Sequence, residues 1–339
     1  MGENYGLPYT GSKSRIAHWV IDNLPRGRIL IDAFAGGCAI THCALLRQKW
    51  QTVIANDINV KCPQLFADAV HGRYRDEKRW ISREDFERLK SKDAFVACCW
   101  SFGNNLRDYM YSKGIEPYKR ALHYAIVLDD FEPMQELMPE VAQAVHEAIH
   151  WIRNTHDRRV TAQNVIVKTL KRLTDDNFAH PIIQSNPLYQ TIRHTSRNTP
   201  SLNSLENLER LERLNSLESL ERLERLNSLE RLERMERMER LLVTSLSYDK
   251  IDIPANAVVY CDPPYHACDN SLYEGTAKAF DHCAFYDWCV CVSKTNPIFI
   301  SEYSIEDDRF EIVAEKQKMT SLSSVKSSIV TERLYTVKK

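Results

Sequence analysis

An apolar run, RILIDAF (28–34), stops at Gly36-Gly37 and opens into CAITHCALLRQKW, and few folds accommodate that order. A short buried-type run closed by paired glycines and followed by helical spacing reads as strand, tight turn, helix. The pattern then repeats, because TVIAN (52–56) ends in Asp57 and leads into INVKCPQLFADAV. Strands that alternate with helices argue a parallel α/β sheet. Far down the chain, AVVYC (257–261) and PIFISEY (297–303) give two more strands around a helix over 280–294, and TERLYTVKK (331–339) reads as a closing strand. Residues 1–70 and 245–339 are therefore expected to be two halves of one domain, divided by a long insertion.

The chain has 339 residues, 43% of them apolar and 27% charged, and can bury a sizeable core. A formal net charge of −1 leaves any polyanionic partner to be judged from local distribution. No apolar run is long enough to span a bilayer, and MGENYGLPYTGSKSR lacks a signal-peptide pattern. A soluble, cytoplasmic protein with no membrane partner is expected. The ten cysteines are scattered without a CxxC pair, so reduced packing cysteines and no metal site are expected.

Within the insertion, 71–150 mixes charges with Trp80, Phe95, Trp100, Phe102, Tyr109, Tyr111 and Tyr118, a folded composition. The stretch 150–200 sets eight cations (Arg153, Arg158, Arg159, Lys168, Lys171, Arg172, Arg193, Arg197) against three acids, a footprint suited to phosphate. VTAQNVIVKTLKRL (160–173) has the apolar spacing of a recognition helix. Residues 201–242 place an apolar residue at every third position, and LERLERLNS recurs from Leu208 and from Leu220. Steps of three residues drift by about 60° around a helix, so the leucines wind over its surface without a single seam. Glu–Arg pairs four apart, Glu221–Arg225 among them, favour helix, although a compact solenoid is also compatible with the period. A spacer, or an arm for self-association, is the expected role.

Asp262-Pro263-Pro264-Tyr265 directly follows the strand AVVYC, where an open α/β sheet binds its ligands. Two prolines fix the backbone and remove two donors, leaving carbonyls to accept beside the Asp262 carboxylate. Such an acceptor pair suits a group bearing two N–H bonds, and Tyr265 offers an aromatic face to a planar base. Taken alone, the tetrapeptide also reads as a stiff turn.

Seven pieces in order, YTGSK (9–13), IDAFAGG (31–37), ANDIN (55–59), VVYCDPPY (258–265), FDHCAFYDWC (280–289), ISEY (300–303) and ERLYTV (332–337), resemble the DNA adenine N6-methyltransferases of the Dam type, the D12 class. The resemblance implies a Rossmann-like α/β methyltransferase sheet using S-adenosyl-L-methionine, an inserted and mainly helical target-recognition region at 71–200, and double-stranded DNA as partner. It implies that Tyr9, Lys13, Asp32, Phe34, Gly36, Asp57 and Asp262 bind the cofactor, with Asp57 gripping the ribose hydroxyls. Asp262, Pro263, Pro264 and Tyr265 become the catalytic residues. Each cofactor residue alone has a plainer reading: a strand–helix turn at Gly36, a helix N-cap at Asp57, a solvated lysine at Lys13. The family's F-x-G-x-G turn departs here to Phe34-Ala35-Gly36-Gly37-Cys38. WSFGNNLRDYMY (100–111) is similar to the family's Asn/Arg-rich loop, which makes Asn104, Asn105 and Arg107 candidates for DNA contact, against a plainer role in a capped turn.

The implied reaction is direct methyl transfer to N6 of an adenine flipped out of duplex DNA, with no metal. A catalytically silent binder of the same fold and an RNA adenine methyltransferase are the alternatives. Cytosine N4 and glutamine enzymes usually carry Asn or Ser before Pro-Pro, so Asp262 favours adenine. Shortening the repeat by one 12-residue unit is expected to leave methyl transfer largely intact.

Overall fold

The computed structural model describes residues 5–7, 9, 11–176, 218–229, 241–265, 280–320 and 328–339. Arg193, Arg197 and most of the 201–242 repeat lie outside the described residues. Among these residues seven strands form one sheet: β1 (Ile29–Asp32), β2 (Thr52–Asn56), β3 (Leu241–Thr244), β4 (Val258–Cys261), β5 (Ile298–Glu302), β6 (Phe310–Thr320) and β7 (Ser328–Val337). Their order is β3-β2-β1-β4-β5-β7-β6. The first five run parallel, as the alternation of strand and helix requires, while β7 and β6 close the edge antiparallel. Every residue of β4 and β5 is buried, which is why both read as continuous apolar runs.

The helices are α1 (Ala17–Asn23), α2 (Ala39–Arg47), α3 (Lys61–Val70), α4 (Arg83–Leu89), α5 (Ala94–Cys99), α6 (Glu116–His123), α7 (Glu132–Leu137), α8 (Pro139–Ile149), α9 (Thr155–Asp176), α10 (Glu218–Leu229) and α11 (His282–Val292). Caps set two boundaries: Asp93 accepts from the amides of Phe95 and Val96 to start α5, and Asp281 from Ala284 to start α11. From β1 the chain turns to β2 on one side, and β4 later pairs on the other, register Leu30↔Val258 through Asp32↔Tyr260. The carboxyl ends of β1 and β4 are thus neighbours at the point where the strand order reverses, the usual ligand crevice of such a sheet.

Two compact units divide the chain. The first runs to Arg75, takes in Phe86–Asp108 and resumes at Arg225; the second comprises Asp76–Asp85 and the chain from Tyr109 to Glu224. The second unit has its own core, in which Leu122, Ile126, Met134, Val141, Val145 and Ile149 are joined by Ala162 and Ile166 of α9 and Leu220 of α10. Ala162, Val165 and Ile166 of the 160–173 helix therefore face this core.

Three expectations are corrected by packing. Leu241 and Leu242, counted as the end of the repeat, belong to β3 and pair with Val53 and Ile54, because a parallel ladder to β2 outweighs the three-residue period. The spacer or self-association reading does not hold for 218–229, where Leu220, Leu223, Leu226 and Leu229 are all buried. Their drift turns leucines to more than one side of α10, and a helix apolar on several sides is a buried one. Third, two of the eight cations at 150–200 are occupied internally. Arg158 donates to the carbonyls of Ala125, Ile126, Ile149 and Ile152 and pairs with Asp129, while Arg159 forks onto Glu224 and reaches Glu221.

Candidate active site

At the end of β1, Asp32 is almost wholly buried, and its Oδ2 accepts from the amide and hydroxyl of Thr41 at 3.1 and 2.7 Å. Its Oδ1 is buried without a hydrogen-bond partner. Burial, with Asp262 and Asp57 nearby, pushes the carboxyl up to about 7 despite Thr41. The turn beyond it has Gly36 at φ +46 and Cys38 at φ 59, so a cysteine holds the left-handed position that opens α2. Tyr9 lies across this turn: a Cβ built on Gly37 would stand 2.6 Å from the Tyr9 Cβ, and one on Gly36 3.0 Å from its ring. Only glycine admits that approach.

Asp57, at the end of β2, accepts the Gly36 amide at 2.8 Å and the Asn59 amide at 2.9 Å. Burial raises its carboxyl above the usual range. Two of about four acceptor positions are thereby used, which leaves capacity for hydroxyl donors. Next to it, buried Asn56 donates to the carbonyls of Ala33 and Leu246 and accepts from Thr244 and the Leu246 amide, tying the ends of β1, β2 and β3 together. Phe34 stacks on Tyr248 at 5.7 Å and meets Phe285 edge-on at 5.7 Å, forming an aromatic wall beside the turn.

The β4 corner gathers charge. Lys13 Nζ lies 2.7 Å from Asp262 Oδ1 and 3.7 Å from Glu332 Oε1, and 4.5 Å from the centroid of Tyr265. Tyr265 donates its hydroxyl to Glu332 and meets Tyr303 edge-on at 4.7 Å. Pro263 is buried and Pro264 half-buried. Glu332, on β7, is fully buried. The corner therefore combines the carboxylates of Asp262 and Glu332 with one lysine, an environment that favours a cationic ligand.

In the loop 101–108, Gly103, Asn104 and Leu106 all have positive φ, at 55, 59 and 61°. Asn105 Oδ1 accepts the amides of Arg107 and Asp108, the capped-turn arrangement, and its amide donates to Asp108. Asn104 Oδ1 has no hydrogen-bond partner, and Phe102 (64%) and Arg107 are exposed.

Residues 9–126 match the D12 class N6 adenine-specific DNA methyltransferase family. The match spans about a third of the chain and indicates an adenine-specific DNA methyltransferase. The matched stretch carries Tyr9, Lys13, Asp32, Phe34, Gly36, Asp57 and the 101–108 loop; Asp262-Pro263-Pro264-Tyr265 follows it in the chain. No curated protein matches the chain. The family implies use of S-adenosyl-L-methionine and a duplex DNA substrate.

Tyr9, Gly36 and Asp57 of the methyltransferase meet around the turn, and Lys13, Asp262 and Tyr265 meet at the β4 corner. Sequence reasoning missed Thr41, Asn56 and Glu332. A polar residue in an otherwise apolar stretch, as in ERLYTV, was the available signal for Glu332. Among the described residues no group of three or more His, Cys, Asp or Glu is placed to hold a metal, and no helix is long and apolar enough to cross a membrane. The nine described cysteines are free thiols, seven of them buried.

Proposed function

We propose that the methyltransferase acts at the crevice between β1 and β4, with S-adenosyl-L-methionine held by the β1 and β2 ends and a flipped-out adenine of duplex DNA presented to Asp262. The residues fit the cofactor on one observation above all: the buried Asp32 Oδ1 has no partner, and an unpaired carboxylate oxygen is costly unless a donor or cation meets it. Tyr9, Phe34, Gly36 and Asp57 line the same turn, and Lys13 with Asp262 at the β4 corner completes the set assigned to the cofactor. The cofactor, when bound, supplies an electrophilic methyl group on a positively charged sulfur.

Adenine N6 is a poor nucleophile because its lone pair is conjugated with the ring. Hydrogen bonds from its two N–H groups to the Asp262 carboxylate and the Pro263 carbonyl draw that pair out of conjugation and orient it. The carboxylate also stabilises positive charge that develops on N6. Lys13 holds Asp262, and Glu332 holds both Lys13 and the Tyr265 hydroxyl, so the acceptor is preorganised. Extruding the base costs a few kcal/mol, which Tyr265 offsets by stacking and the Asn104, Asn105 and Arg107 loop by contacts to the duplex. The protein acts in the cytoplasm, where DNA and cofactor are both present.

Mass spectrometry of nucleosides from unmethylated DNA, incubated with the protein and S-adenosyl-L-methionine, tests this. We expect N6-methyladenine, reduced by about 10²- to 10³-fold or more in Asp262→Ala at unchanged folding. Equal product from wild type and Asp262→Ala would refute the assignment. Product from single-stranded RNA and none from duplex DNA would refute the duplex substrate.

A further inference from the structure

The repeat reaches the segment packed on the glycine turn through Arg225. From α10, Arg225 donates Nε to the Gly6 carbonyl at 2.9 Å and Nη2 to the Tyr5 carbonyl at 2.7 Å. The amides of the same segment are held by the sheet side: Tyr5 by Ser14 Oγ at 2.7 Å, Gly6 by His42 Nδ1 at 2.9 Å, and Leu7 by the Gly37 carbonyl at 2.7 Å. Tyr5 and Leu7 are buried, and a Cβ on Gly6 would stand 2.3 Å from the Gly37 oxygen. The backbone of 5–7 therefore lies directly on the glycine turn, with Arg225 supplying donors to two of its carbonyls. Buried carbonyls need such partners, and a planar guanidinium presents two parallel donors at fixed spacing.

In the sequence Arg225 reads as the partner of Glu221 one turn earlier. Glu221 instead bonds Arg159 at 3.0 Å, and Arg225 turns to the backbone. Leu226 and Leu229, both buried, fix the helix end that carries it. Downstream of the clamped segment come Tyr9, packed on Gly36-Gly37, and Lys13, paired with Asp262.

We propose that Arg225 is a positioning residue for the methyltransferase: it presses residues 5–7 onto Gly37 and so sets Tyr9 and Lys13 in the cofactor crevice. The repeat thereby contributes to cofactor binding without contributing a catalytic group. The inference rests on the assignment of the glycine turn as the cofactor site.

The test compares wild type, Arg225→Ala, Arg225→Lys, Ser228→Ala and Asp57→Ala in the full chain, by calorimetric binding of S-adenosyl-L-methionine, steady-state kinetics and hydrogen exchange. Arg225→Ala should raise the KM for S-adenosyl-L-methionine about tenfold or more, with kcat at saturation changed less than about threefold and the KM for DNA unmoved. Arg225→Lys should recover part of that loss, and Ser228→Ala should match wild type. Exchange protection of the N-terminal peptide should fall in Arg225→Ala while β1 and α2 keep theirs. Wild-type cofactor binding by Arg225→Ala, beside weakened binding by Asp57→Ala, would overturn the clamp alone. Loss of kcat, both KM values and thermal stability together, without recovery in Arg225→Lys, would also overturn it. Unchanged binding in Asp57→Ala would overturn the site assignment on which the clamp depends.

Discussion

Lys13 and Arg158 are both cations withdrawn from water, one in each unit of the chain. Lys13 faces carboxylates, Asp262 at 2.7 Å and Glu332 at 3.7 Å. Arg158 faces backbone, with four carbonyls from the helical segments around Ala125–Ile126 and Ile149–Ile152 taking its donors. Helix ends leave carbonyls without intrahelical partners, and a guanidinium there satisfies several at once. The first arrangement gathers side-chain charge of both signs at the candidate site; the second spends a guanidinium on backbone. A cation count in the sequence cannot separate the two, so the excess of cations at 150–200 overstates what the insertion can offer to phosphate.

If that contrast is right, removing Arg158 harms folding and removing site groups harms reaction. The largest expected effect is Arg158→Ala, which strands buried carbonyls and should lower stability by about 3–5 kcal/mol in urea denaturation. A loss under about 1 kcal/mol would break the comparison. Asp32 should behave in the opposite sense. Burial pushes its carboxyl up to about 7 from the usual 3.8, so the neutral form is the stabilising one. That contribution is complete below about pH 4 and disappears as pH rises to about 7, at roughly 1.4 kcal/mol per pH unit. Asp32→Asn should abolish this slope and be the more stable protein at neutral pH, while binding S-adenosyl-L-methionine poorly; identical pH profiles would contradict the assignment.

A smaller change is expected for Glu332→Gln, which keeps an acceptor for the Tyr265 hydroxyl but removes the charge near Lys13. Here kcat should fall by about tenfold with little change in melting temperature, and the reverse pattern would place Glu332 with the structural group. The smallest effect sharpens the electrostatic half of the contrast. Arg153 and Lys168 are exposed, so Arg153→Ala should lower the slope of log affinity for DNA against log salt by about one, in filter-binding titrations. No change in slope would take Arg153 out of the duplex footprint.

The parallel part of the sheet was legible because β1, β2, β4 and β5 are bounded by turn residues and packed on both faces. β6 was not, since seven of the residues after Phe310 are exposed or half-exposed and carry the charges of an edge strand. β3 was hidden by its position behind the repeat, whose period overrode the short LLVT run. In the site, Asp32, Gly36, Asp57 and Asp262 follow strand ends, which sequence pattern locates well. Thr41, Asn56 and Glu332 act through partners at least 9 residues away in the chain, and no local pattern reports those contacts. The Asn105 turn shows the converse: a polar loop residue that the family resemblance made a candidate for DNA contact supports its own backbone.

The 12-residue blocks 205–216 and 217–228 are identical but for Asn207 in one and Ser219 in the other. Ser219 is the buried hydroxyl that bonds Tyr111 at 3.1 Å, and Arg213 stands in the first block where Arg225 stands in the second. Near-duplicate coding tracts gain and lose whole units during replication. A chain that lost either block would still carry a leucine, glutamate and arginine register running into β3, with a guanidinium available for the Tyr5 and Gly6 carbonyls. The two contracted genes would encode proteins differing at one residue, amide or hydroxyl against Tyr111. Heritable length variation and a working clamp are thus compatible in the same stretch of sequence, and selection between the two contractions reduces to the fit of one small side chain.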